Sequence, residues 1–146
     1  DFDWASIAAD PEGDHRPRTE LPEFLSKLKQ TVTELARVGV QPVLMTLPPI
    51  DGARYLDYIC RGGLSRDSIM RWLGDVGCIY RHQELYSDTV ASFAMREGLP
   101  LIDVRRRFLP QRDLSELISA DGIHLTMPGY RQLFDTLAQW VVPQLA

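Results

Sequence analysis

Apolar residues recur at three- and four-residue steps from Leu21 through Phe24, Leu25, Leu28 and Val32 to Leu35. A helix turns once in about 3.6 residues, so these side chains share one face and predict an amphipathic helix. Thr19 is its predicted N-cap, Pro22 lies in the first turn, and Gly39 stops it. The pattern then changes period. Val40 to Leu47 (VQPVLMTL), closed by Pro48-Pro49, is a short continuous apolar run, and Leu99 to Val104 (LPLIDV) is a second. Such runs predict parallel strands covered on both faces. Between them Leu85, Tyr86, Thr89, Val90, Phe93 and Ala94 predict a helix over 83–97, ended by Gly98. Strand, helix, strand is the βαβ unit of an α/β protein. A last stripe, Tyr130, Leu133, Phe134, Leu137, Trp140 and Val141, predicts a helix over 127–142, capped by Thr126 with Pro128 in its first turn.

Two stretches stand outside this pattern. Residues 49–80 are longer than the ~2–6 residues of an ordinary βα connection. They carry helical patches around Tyr55 to Cys60 and from Ser65, a predicted N-cap, to Leu73, separated by Gly62-Gly63. This is read as a helical insertion at the C-terminal edge of a strand, where α/β folds bind ligands, so one reading is a cap or lid over a site. The other is that Tyr55, Tyr58, Trp72 and Tyr80 form the insertion's own small core. Residues 1–19, with Asp10-Pro11-Glu12-Gly13-Asp14 among them, predict an exposed loop. Arg105-Arg106-Arg107 reads as a solvated face after the second strand.

The length of 146 residues fits one domain, and 45% hydrophobic with 25% charged residues is the balance of a globular chain. Sixteen Lys and Arg against 20 Asp and Glu give a net charge of -4, which argues against a phosphate backbone as partner. No apolar run approaches the ~20 residues that a bilayer requires, and no positive region followed by an apolar stretch opens the chain. Cys60 and Cys78 lack the spacing and companions of a zinc site. They are either two thiols or one disulfide, whose closure would add roughly 3 kcal/mol on a chain-entropy model. His15 and His82, each isolated in a polar stretch, read as surface histidines and add nothing to a metal site. No cofactor is called for.

The segment that carries chemistry is Ser119 to Tyr130, SADGIHLTMPGY. Asp121 and His124 are three residues apart on a loop entering the last helix. There the carboxylate can accept the Nδ1–H of the imidazole and leave Nε2 free to take a proton, the base half of a nucleophilic hydrolase. Alone, Asp-x-x-His occurs by chance. The longer string Asp-Gly-Ile-His-Leu-Thr-x-x-Gly-Tyr at the start of the final helix, after LPLIDV and the VLMTLPP strand end, resembles the SGNH hydrolases, the GDSL-type esterases and lipases. The resemblance spans most of residues 19–142 and is strongest over 119–134.

It implies a three-layer α/β/α, flavodoxin-like sandwich with a parallel sheet, His124 as general base and Asp121 as its orienting partner. It also implies a serine nucleophile and no cofactor. The substrate would be a small-molecule ester, an acylated sugar or a lipid. The chain departs from the family in one large respect. The family's Gly-Asp-Ser after the first strand is absent, Gly13-Asp14-His15 being the nearest string, and the chain contains no asparagine to serve the Gly-x-Asn-Asp motif. None of its eight serines follows an apolar strand directly. Aligned by spacing, Asp1 falls on the Asp of that motif. Two predicted strands are also fewer than the usual ~4–6 of a sheet.

The expectation is therefore that residues 1–146 are the C-terminal part of one SGNH-like domain. Its first strands and its Ser would lie in sequence outside this chain, with which the chain would associate. Two other readings stay open. One is a nucleophile-less SGNH-like module binding a carbohydrate or a protein; the other is an unrelated small α/β protein with a chance Asp-His pair.

Overall fold

The computed structural model describes residues 2–144; Asp1, aligned above with the Gly-x-Asn-Asp motif, lies outside the described residues. Helix α1 (Trp4–Ala9) precedes α2 (Leu21–Arg37) and the short strand β1 (Leu44–Met45). Then come α3 (Gly52–Cys60), α4 (Arg66–Leu73) and the long α5 (Gly77–Glu97). Strand β2 (Leu101–Ile102), the single turn α6 (Arg105–Phe108) and α7 (Met127–Val141) complete the order, with a 3₁₀ turn at Val142–Gln144. The strands pair in parallel, Leu44 beside Leu101 and Met45 beside Ile102, so the fold is mixed α/β around a small parallel sheet.

Several local signals act as the pattern predicts. The Ser65 hydroxyl caps α4 by accepting from the Ser68 N–H at 3.2 Å, and the Thr126 hydroxyl caps α7 by accepting from Gly129 at 3.3 Å. Gly98 ends α5 in the left-handed conformation, which costs glycine nothing. Other expectations need correction. Glu20 rather than Thr19 precedes α2, and it makes no side-chain cap; the Thr19 carbonyl instead accepts the Tyr86 hydroxyl at 2.6 Å. Helix α5 starts six residues earlier than the stripe at 83–97 suggested. The two apolar runs shrink to two paired residues each, because a strand extends only as far as its ladder partner does.

The largest correction concerns the N-terminal segment read as an exposed loop. Asp3 caps α1 through its carboxylate, 3.1 Å from the Ser6 N–H, and Trp4 and Ile7 are buried. They join Leu56, Ile69 and Ile79 in an apolar cluster that holds α1, α3, α4 and the start of α5 together, with Tyr55 and Trp72 packed on it. Each fully buried Leu or Ile contributes about 1.5–3 kcal/mol. Segment 49–80 thus shares a core with α1. Cys60 and Cys78 are separate thiols.

A second cluster, Ile102, Val104 and Phe108, sits under Leu133, Leu137 and Trp140 of α7 with Met45 beside it. Helix α5 also packs on both strands. Arg105, placed by sequence on a solvated face, is buried instead. Its guanidinium donates to the Leu47 carbonyl at 3.0 Å and the Gln83 Oε1 at 2.9 Å, pairs with Glu84, and lies 5.2 Å from the Tyr80 ring centre. It ties the end of β1 to α5. Three arginines in a row say nothing about which one turns inward; the carboxylate and carbonyls waiting on other elements decide it.

Candidate functional site

Residues 118–125 fold back on themselves. Ile118 and Leu125 form an isolated antiparallel bridge, and the Gly122 N–H closes a turn on the Ser119 carbonyl at 3.0 Å. Gly122 has φ +79°, in the left-handed region that favours glycine. It also has no room for a side chain: a Cβ there would stand 2.4 Å from both the Asp51 carbonyl oxygen and the Tyr55 nitrogen. The Gly122 carbonyl in turn accepts the Asp51 N–H at 2.8 Å. Asp51 is itself the N-cap of α3, accepting from the Ala53 and Arg54 N–H groups at 3.1 Å each. The turn is therefore seated on the first residues of α3. Asp immediately before Gly52 and a helical run is the cap signal that would have placed the start of α3 from sequence.

Asp121 and His124 meet on this turn. The Asp121 Oδ2 lies 2.6 Å from His124 Nδ1, and its Oδ1 accepts the Ile123 N–H at 2.9 Å, the His124 N–H at 3.1 Å and the Ser119 hydroxyl at 2.5 Å. Partial burial works to raise the Asp121 carboxyl, but the hydrogen bonds from Ser119, His124 and the two backbone amides outweigh it and hold the group well below the usual carboxylate range. Ser119 is the member of this network that the sequence pattern missed; a serine two residues before an Asp carries no signal of its own.

An ionised carboxylate only accepts hydrogen bonds, so the proton between the two groups belongs to Nδ1, and the tautomer this selects carries its lone pair at Nε2. The His124 side chain is 73% exposed, while that of Asp121 is 21% exposed. The arrangement can hold the imidazole in one tautomer with Nε2 open. No serine hydroxyl among the described residues bonds to it. Ser119 is the nearest in sequence and is committed to the carboxylate, and Ser87 is buried, accepting the Leu47 N–H at 3.1 Å. Among the described residues no group of three or more His, Cys, Asp or Glu is placed to hold a metal ion, and no helix is long and apolar enough to cross a membrane.

His82 also departs from its sequence reading. Its ring is half-buried, 4.7 Å from the Phe2 ring centre and 4.9 Å from that of Tyr86. Burial pushes it below its ordinary value, which keeps it neutral near pH 7.

The fold is mixed α/β with a small parallel sheet, and an Asp-His pair stands on the turn into its last helix. No family model matches the sequence, and no curated protein does. Among solved structures, the fold matches the crystal structure of the lipase/acylhydrolase from Enterococcus faecalis with a TM-score of 0.59 at 18% sequence identity. The match covers 88% of this chain and 54% of that one, so the chain spans about half the length of the acylhydrolase it resembles. At this identity the likeness is one of fold.

Proposed function

We propose that this chain supplies the base half of a serine ester hydrolase of the SGNH type, with the nucleophilic serine contributed by sequence outside these 146 residues. The observation that carries the reading is the 2.6 Å contact between His124 Nδ1 and Asp121 Oδ2 with Nε2 left open. In the reaction, Nε2 takes the proton of the serine hydroxyl as it attacks the ester carbonyl, then returns it to the departing alcohol. Asp121 holds the tautomer and stabilises the imidazolium as it forms. The second half-reaction repeats the cycle with water as nucleophile and releases the acid.

Two further observations support the reading. The fold is shared with an acylhydrolase of which the match covers only 54%. The apolar stripe of α2 contains no buried residue, and Phe134 on α7 is 69% exposed. On this proposal, additional strands beside β1 complete a three-layer α/β/α sandwich and cover those faces. Segment 49–80 then belongs to the wall of the site, because α3 seats the turn that carries Asp121 and His124.

The test is labelling of the full-length protein with a fluorophosphonate. One adduct on a serine outside this chain, reduced sharply in His124→Ala, is expected. Absence of any serine adduct in the protein that contains the flanking sequence would sink the reading.

A further inference from the structure

Beside the Asp121–His124 turn lies a cavity of about 390 Å³, within the roughly 300–1,000 Å³ of small-molecule sites. It is bounded by residues far apart in sequence, among them Trp4, Phe24, Tyr55, Ile79 and Tyr86. Ile123 stands on its rim, 39% exposed, and the next Cα along the chain, about 3.8 Å away, is that of His124. Among the described residues no Asp, Glu, Lys or Arg lines it.

Several polar groups in its wall are already engaged. The Trp4 indole N–H donates to the Tyr55 hydroxyl at 2.9 Å, and the Tyr86 hydroxyl donates to the Thr19 carbonyl at 2.6 Å. The Gln83 amide donates to the Pro48 carbonyl at 2.7 Å and accepts from Arg105 at 2.9 Å. A sugar buried here would lose its hydrogen bonds to water and find few in return, at about 1–3 kcal/mol for each unsatisfied group. An alkyl chain loses none, and gains about 0.8 kcal/mol for each CH₂ buried. Aromatic rings and aliphatic side chains around a neutral imidazole suit hydrocarbon rather than a charged or polyhydroxylated ligand.

We propose that this cavity is the acyl pocket, which binds the unbranched alkyl arm of an ester whose carbonyl lies at His124, and that the protein prefers medium-chain acyl esters over acetyl esters. As an acyl pocket it rests on the hydrolase reading; as an alkyl-binding cavity it is separable from it. The occupant is the hydrocarbon chain itself, whether it arrives on a lipid or on another alcohol.

The experiment has two arms on the full-length protein. The first compares kcat/KM for p-nitrophenyl octanoate and acetate. The second follows maleimide labelling of Cys78, which lines the cavity, by peptide mass spectrometry, with and without 2-decanone, a neutral and non-hydrolysable octyl ketone. Cys60 lies outside the cavity lining and is the internal control, with acetone as the short-chain control. The proposal expects octanoate to exceed acetate at least tenfold. It also expects 2-decanone to slow Cys78 labelling at least fivefold while Cys60 is unaffected and acetone does nothing. Ile123→Asp, on the exposed rim where folding is little disturbed, should lower the octanoate-to-acetate ratio at least tenfold and remove the protection of Cys78.

The outcomes separate the two claims. Protection of Cys78 in a protein that forms no serine adduct would keep the alkyl cavity and remove the hydrolase. A serine adduct together with an octanoate-to-acetate ratio at or below one and unprotected Cys78 would keep the hydrolase and overturn the pocket.

Discussion

The two sides of the molecule are finished to different degrees. Where α1, α3, α4 and the start of α5 meet, Ile7, Leu56 and Ile69 are wholly buried and aromatic rings close around them. By contrast, α2 buries no residue completely, and Val38 at its end and Phe134 on α7 are 74% and 69% exposed. Both sides are built from amphipathic helices of similar strength, so composition does not separate them. What separates them is whether the described residues provide a partner for each apolar face. The finished side seats the Asp121–His124 turn and supplies most of the wall of the apolar cavity, to which Phe24 of α2 adds one ring. The Asp121–His124 pair therefore rests on the better-packed part of the fold.

The sharpest way to break this contrast is at the cores. Leu56→Ala on the finished side should cost roughly 2–5 kcal/mol, read from the urea midpoint, because it leaves a cavity among residues that cannot collapse. A loss under about 1 kcal/mol would mean that this side is no better packed than the other. Gly122→Ala should cost roughly 2–4 kcal/mol through the clash with Asp51 and Tyr55 and the left-handed backbone. It should also undo the seat of the turn, seen as loss of the Asp121–His124 imidazole N–H resonance in proton NMR. Retention of that resonance would show that α3 does not position the pair.

These two positions also show how far the sequence could be read. The stripes of α2 and α7 repeat for three or more turns, and a repeat of that length outweighs local ambiguity. Trp4 and Ile7 are only two apolar residues three apart, a single turn among turn-forming residues. No periodicity can be seen in one turn, and α1 is stabilised by the distant Leu56 and Ile69 rather than by its own pattern. Arg105 is a similar case, since its burial depends on Leu47, Gln83 and Glu84. For the site, Asp-x-x-His was visible because both residues lie on one turn. The cavity was not, because Trp4, Tyr55, Tyr86 and Ile123 come together only through tertiary packing.

A smaller effect distinguishes the pair electrostatically. The Asp121 carboxyl is held low in the folded state, so the charged form contributes stability that is fully present above the ordinary carboxylate value of about 3.9 and is lost as pH falls below it. The stability gap between the parent chain and Asp121→Asn should therefore narrow as pH falls from about 4 towards 2, as followed by urea titration at each pH. A gap that widens over that range would contradict the hydrogen-bonded carboxylate. The smallest expected change lies on the open side: Phe134→Ser should alter stability of this chain by no more than about 0.5 kcal/mol, being mostly exposed. A loss comparable to that of Leu56→Ala would erase the contrast between the two sides.

Whether Asp121 and His124 act as one unit on a serine is decided by a double-mutant cycle in kcat/KM for ester hydrolysis by the full-length protein, using Asp121→Asn, His124→Ala and the two together. Parts of one catalytic unit are strongly non-additive. Each single change should lower kcat/KM by roughly 10³–10⁴, and the double variant should be no slower than His124→Ala alone. Additive losses, or a His124→Ala protein that hydrolyses the ester at the parent rate, would contradict a single catalytic unit.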